Sequence, residues 1–133
     1  MLQEFSMYAY IPANDVARAR KFYEGKLGFK PAEETAGGVV YKFGDSTGCF
    51  LYPAAPSAGT SKASQAFWTV DDVEKTVADL RARGVKFEEY DEPAPKTVNG
   101  IAEGGGAKAA WFKDTEGNIM ALIEDLRGKG TFH

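Results

Sequence analysis

The stretch Trp111-Phe112-Lys113-Asp114-Thr115-Glu116-Gly117-Asn118-Ile119-Met120-Ala121-Leu122-Ile123-Glu124 reads as an apolar strand, a polar turn and a second apolar strand. Asp-x-x-Gly between two apolar runs is a hairpin signal, because Asp bonds its own backbone and Gly accepts a positive φ. A second such pattern lies upstream in Phe43-Gly44-Asp45-Ser46-Thr47-Gly48-Cys49-Phe50-Leu51-Tyr52. Two copies of one hairpin imply two copies of one module.

Working outward, the first half predicts a strand over 5–11, ended by Pro12-Ala13-Asn14-Asp15. A helix capped by Asn14 or Asp15 follows, with Val16, Ala19, Tyr23 and Leu27 at helical spacing and Gly28 as its stop. Strands are expected over 29–34, 39–43 and 49–52. The second half predicts a strand over 66–70, then a helix opened by Asp71-Asp72-Val73-Glu74, a capping-box pattern with Asp as the cap. Val73, Val77 and Leu80 form its apolar face and Gly84 ends it; a strand over 85–90 follows. The helix starts Asp15 and Asp72 lie 57 positions apart. The turn glycines Gly48 and Gly117 lie 69 apart, an excess assigned to a long loop over 91–106. Each half therefore reads strand, helix, three strands. The fold class is α+β, built from two βαβββ modules. Module 1 spans about 5–52, a Pro/Ala/Ser/Gly-rich linker 53–64, module 2 about 65–124, and a tail 125–133, expected to fray from Arg127 onward.

Composition narrows the classes. The chain has 133 residues, 44% hydrophobic, and a net charge of −3, so a packed core is expected and disorder is not. Lys and Arg are scattered, and no basic stripe offers a nucleic-acid footprint. One cysteine allows no intrachain disulfide. No apolar run approaches the ~18 residues of a membrane span. The expectation is a cytoplasmic protein that contacts neither membrane nor nucleic acid.

Asn14-Asp15-Val16, Phe22-Tyr23, Leu27-Gly28-Phe29, Val70-Asp71-Asp72-Val73, Gly84-Val85 and Phe112-x-Asp114-x-x-Gly117-Asn118 occur in order across both halves. Together, over about 6–123, they resemble the vicinal oxygen chelate superfamily, which includes glyoxalase I, bleomycin-resistance proteins and extradiol dioxygenases. The resemblance implies paired modules whose mixed sheets curl around a central cleft, often completed by a second chain as a homodimer. It also implies four metal-ligand positions: seven residues before each helix-opening Asp, four after the last hairpin's glycine, and one in the first half. Here they hold Tyr8, Gln65, Ala121 and Tyr52. Ala has no lone pair to offer, and a phenol, which ionises only near pH ~10, is a poor ligand for the divalent ions concerned. The single histidine, His133, is the last residue. No metal and no other cofactor are expected, and with Ala121 where glyoxalase I carries its base, glyoxalase-type lyase and metal-dependent dioxygenase activities are not expected either.

The functional expectation is a small-molecule binder that sequesters an apolar or aromatic compound. Its binding residues would be Tyr8, Tyr10, Tyr52, Gln65, Phe67, Trp111 and Ala121, an aromatic lining with a few polar anchors. The same aromatics read equally as core, and Gln65 as a solvated residue. Two other readings stand beside it. One is a metal-independent lyase or isomerase on a small carbonyl substrate, using Tyr8, Tyr52 or Glu103 for proton transfer; the other is a regulatory module with a vestigial cleft. Cys49 lacks a partner His and reads as a small buried hydrophobe rather than a nucleophile. Glu88, Glu89, Asp91 and Glu92 read as a solvated strand end rather than a cation site. The glycines 104–106 read as a flexible loop.

Overall fold

The structure, a computed structural model, describes residues 1–91 and 95–127. The expectations for Glu92 and for the tail beyond Arg127, including His133, lie outside the described residues. The chain packs as two compact units: Met1–Ser61 with Asp114–Asn118, and Lys62–Lys113 with the described residues from Ile119 onward.

The first unit opens with a short 3-10 turn, Leu2–Glu4, then β1 (Tyr8–Ala13), α1 (Val16–Arg20), β2 (Glu33–Thr35), β3 (Gly38–Phe43) and β4 (Thr47–Pro53). The sheet order is β1-β4-β3-β2, with β1 parallel to β4 and the other pairs antiparallel. Alternation sends Ile11, Ala13, Val39, Tyr41, Cys49 and Leu51 to one face, where all are buried with Ala19, Phe22 and Tyr23. Asp15 caps α1 by accepting the Arg18 amide at 3.0 Å. The helix does not continue as an α-helix to Gly28. Lys21–Lys26 widen into a π turn, with the Leu27 amide bonding the Phe22 carbonyl.

The second unit contains β5 (Ala66–Thr69), α2 (Val73–Ala82), β6 (Ile101–Gly104), β7 (Ala107–Lys113) and β8 (Ile119–Asp125), in sheet order β5-β8-β7-β6. Again the first and last strands run parallel and the rest antiparallel. Ala110, Phe112, Met120 and Leu122 share the buried face with Val73 and Val77. Asp72 caps α2 through the Lys75 amide at 3.0 Å, as the capping pattern requires.

Each unit is thus βαβββ, and the fold class stands as read: α+β with two mixed four-stranded sheets. Four local expectations change. The first strand begins at Tyr8 rather than Phe5. The strand expected over 29–34 shrinks to Glu33–Thr35. Residues 85–90 form no strand; only Phe87 bridges to Phe112. The missing strand is β6, inside the stretch read as a long loop. It is started by a two-residue Asn99-Gly100 turn, with mutual amide–carbonyl bonds between Val98 and Ile101 at 2.8 and 3.1 Å. Asn-Gly is a hairpin signal, but its flanking strands are too short to show periodicity.

Candidate functional site: the open faces of the two sheets

The face of the first sheet turned away from α1 is aromatic. Strand alternation places Tyr8, Tyr10 and Pro12 on it, and register sets them beside Gly48, Phe50 and Tyr52. Tyr10 meets Tyr52 edge-on, with ring centroids 5.0 Å apart, and meets Phe50 at 6.1 Å. Phe50 and Tyr52 lie nearly parallel at 6.3 Å. Tyr8 lies over Gly48; a Cβ there would fall 2.6 Å from the Tyr41 carbonyl oxygen and 2.8 Å from the Tyr8 Cε2, so glycine is required between strand and ring. Tyr8 is 39% exposed and Tyr10 64%. Tyr8, Tyr10 and Tyr52 are therefore brought together and are not core, and Phe50 joins them. Phe50 was readable: it stands two positions from Tyr52, as Tyr8 stands from Tyr10, and side chains recur every second residue on a strand face.

On the second sheet, Phe67, Ala121 and Trp111 form one row across β5, β8 and β7. Ala121 is 3% exposed, while Phe67 is 47% exposed at the sheet edge. Ala109 and Ala102 continue the same face through β7 and β6. Tyr90 packs edge-on to Trp111 at 5.5 Å, and burial pushes its phenol pKa up, helped by Glu88, so the hydroxyl stays protonated. Tyr90 had no sequence signal, because it reaches the face from irregular backbone. Gln65 precedes β5, exposed, and its amide donates to the Ile119 carbonyl at 2.6 Å. Glu103 does not lie on this face. It pairs with Lys108, whose ammonium bonds Glu74 of α2 at 2.7 Å, so it belongs to the helix side of the sheet. That removes it as a residue closing over a ligand held by Trp111.

Register also corrects one of the four positions that the resemblance marks. The offset of 57 that takes Asp15 to Asp72 takes Tyr10 to Phe67. Tyr10 pairs with Phe50 and Phe67 pairs with Ala121, so the counterpart of Ala121 is Phe50, not Tyr52. The glycine alignment misled because Gly48 lies inside β4, whereas Gly117 lies in its turn at φ 86°. The first sheet thus presents a phenol and a phenyl ring at its two marked positions, and the second an amide and a methyl group. These donors do not fit the divalent metal of the family, which needs imidazole or carboxylate lone pairs. Among the described residues, no group of three His, Cys, Asp or Glu side chains could hold a metal ion. Cys49 lies on the helix side, where burial pushes its thiol up to about 12, the state of an inert core cysteine.

The turn Asp114–Asn118 is held by polar bonds inside the first unit. Asp114 accepts from the Tyr23 hydroxyl at 2.5 Å, the Glu116 and Asn118 amides at 2.9 Å each, and the Asn118 carboxamide at 2.9 Å. Asn118 also donates to the Pro12 carbonyl at 2.8 Å and accepts the Gly59 amide at 3.1 Å. Glu116 takes a bidentate pair from Arg18 at 2.9 and 3.0 Å and the Asp15 amide at 2.8 Å. Burial alone would raise the Glu116 pKa, but Arg18, the Asp15 amide and the Thr115 hydroxyl together draw it down to about 2. These groups are structural: every one is saturated by protein partners.

The sequence model of the Glyoxalase/Bleomycin resistance protein/Dioxygenase superfamily matches residues 5–122. The chain belongs to this superfamily. No curated protein matches it in sequence. Solved structures share the fold of this superfamily member. UcmS2 is 20% identical, with TM-score 0.70, over 90% of this chain and 96% of its own. TnmS3, an antibiotic binding protein from Streptomyces sp. CB03234, is 22% identical, with TM-score 0.65, over 90% and 94%. A lactoylglutathione lyase from Agrobacterium tumefaciens is 16% identical, with TM-score 0.63, over 92% and 95%. No helix among the described residues is long and apolar enough to cross a membrane.

Proposed function

We propose that this superfamily member binds a small, flat, apolar or aromatic molecule without a metal ion. The row Phe67–Ala121–Trp111 carries this reading. Adjacent strands lie ~4.8 Å apart, so Phe67 and Trp111 rise from backbones about 10 Å apart on either side of the buried Ala121, and both keep part of their ring surface exposed for a flat ligand to stack on. Large aromatics with partial exposure on a face no helix covers are the residues that dominate small-molecule recognition. The similarity to TnmS3, an antibiotic binding protein, supports the reading, as does the poor metal-donor set. Tyr8, Tyr10, Phe50 and Tyr52 offer a second aromatic face with hydroxyl anchors. The exposed Met1, Leu2, Phe5 and Met7 at the start of the same unit support pairing with a second copy, to be checked by light scattering.

The test is titration of chelator-treated protein with planar aromatic compounds, followed by tryptophan fluorescence and thermal shift. Saturable quenching that weakens about tenfold in Trp111→Ala, equivalent to ~1.4 kcal/mol, is the expected result. A stoichiometric divalent ion that survives purification, and whose removal abolishes binding, would overturn the metal-free reading. Turnover of a carbonyl substrate that is lost in a Tyr8→Phe, Tyr52→Phe double variant would favour the metal-independent enzyme instead.

A further inference from the structure

The Asn99-Gly100 turn carries chemistry that the binding faces do not use. Both residues are left-handed, with φ 54° and 80°. Asn99 is exposed, as is Val98 before it. In an unconstrained chain an Asn-Gly pair rearranges without any co-reactant but water. The glycine amide nitrogen attacks the asparagine Cγ. A Cγ–N bond forms to close a succinimide, the Cγ–Nδ2 bond breaks, and ammonia leaves carrying the amide proton. Water then opens the ring at either carbonyl, leaving aspartate or isoaspartate. Glycine permits this best because no Cβ shields its nitrogen.

Three contacts oppose that reaction here. The Gly100 amide donates to Glu89 Oε1 at 2.8 Å, so its proton is held by a carboxylate. The same carboxylate oxygen accepts the Thr97 hydroxyl at 2.6 Å, which fixes it in place. Arg81 Nη2 holds the Asn99 carbonyl at 2.9 Å while its guanidinium lies 5.6 Å over the Phe87 ring. A negative carboxylate beside the amide also disfavours the deprotonated nitrogen that the attack requires. Thr97, followed by the Gly100 amide, holds the Glu89 carboxyl below its usual range, so it is ionised at neutral pH.

The geometry points to Asn99 as a latent deamidation site whose rate is set by the Glu89–Gly100 hydrogen bond. When this turn opens, the nucleophile is released. The aspartate product adds a negative charge beside Glu89, and the isoaspartate product adds a backbone carbon that a two-residue turn cannot accommodate. Either product acts on the start of β6.

The test follows the mass gain and isoaspartate content of the proteolytic peptide spanning Asn99 after incubation of the full chain at neutral pH. Folded wild type is expected to deamidate far more slowly than the urea-unfolded chain. Glu89→Ala is expected to speed the folded reaction about tenfold, the factor that one charge-assisted hydrogen bond provides. Glu89→Gln keeps an acceptor oxygen but loses the charge, so it should fall between wild type and Glu89→Ala. Arg81→Ala loosens the turn without freeing the Gly100 amide and should fall between. Circular dichroism confirms that each variant is folded. The inference fails if folded wild type reacts as fast as unfolded chain, if folded Glu89→Ala is no faster than wild type, or if Arg81→Ala matches Glu89→Ala.

Discussion

In the first sheet the row that crosses β1, β4 and β3 reads Tyr10–Phe50–Val40; in the second the matching row across β5, β8 and β7 reads Phe67–Ala121–Trp111. The first places a ring at the centre and an aliphatic residue on one flank. The second places a methyl group at the centre and a ring on both flanks. One backbone plan thus yields a filled aromatic platform in one unit and a floor with two aromatic walls in the other. The inward faces differ much less: each sheet buries alternate apolar residues beside one helix whose Asp cap is satisfied. Each helix also receives a carboxylate from a distant segment, Glu116 at the Asp15 amide and Glu124 at the Val73 amide, both within 2.9 Å. The two units thus differ most in side-chain size on the faces that do not pack against a helix.

The hairpin turns give the largest test of this contrast. Asp114 is buried and accepts four hydrogen bonds, so Asp114→Ala strands four donors and should cost about 3–5 kcal/mol in urea unfolding. Asp45, exposed in the first hairpin's turn, should change stability by less than about 0.5 kcal/mol when replaced by Ala. Equal losses would mean that the two turns are not different in kind.

Exchanging the centres of the two rows comes next. Ala121→Phe copies the first unit's residue into the second. Overpacking should cost about 1–3 kcal/mol and reduce binding of a planar aromatic ligand more than about tenfold. Phe50→Ala should weaken the same ligand less. The reverse order of effects would move the binding face to the first sheet.

The acid limb tests the carboxylate at the first helix start. Glu116 is held at about 2 in the folded chain against an ordinary 4.5. Its folded value is depressed, so its contribution is present above about 4.5 and is lost as the pH falls toward about 2. Because Arg18 is half exposed, this amounts to no more than about 2 kcal/mol. Denaturant midpoints of Glu116→Gln should be lower at neutral pH and flatter across that window. A profile as steep as wild type would show that another group carries the acid sensitivity.

The smallest expected effect belongs to Tyr52→Phe, which keeps the ring beside Tyr10 and Phe50 and removes only a hydroxyl. Stability should change by less than about 0.5 kcal/mol and ligand affinity by less than about threefold. A larger loss of affinity would make the hydroxyl a specific anchor.

The sequence by itself determined the element types and their doubled order. Period-two alternation, Asp caps and Gly stops are local signals whose physics acts within a few residues, and they placed both helices and the turn at Asp114. Tyr8, Tyr52 and Ala121 were singled out by the family resemblance, and Tyr10, Phe67 and Trp111 by their aromatic type, not by local pattern. Short, irregular segments escaped, as the loss of the strand over 85–90 and the appearance of β6 show: three or four residues carry too little periodicity to compete with tertiary pairing. Tertiary structure alone decided which residues are neighbours across strands. Register made Phe50 the counterpart of Ala121, brought Tyr90 to Trp111, and put Glu103 on the helix side. Hydrogen bonds between strands join residues far apart along the chain, and no local pattern encodes a partner that lies on another strand.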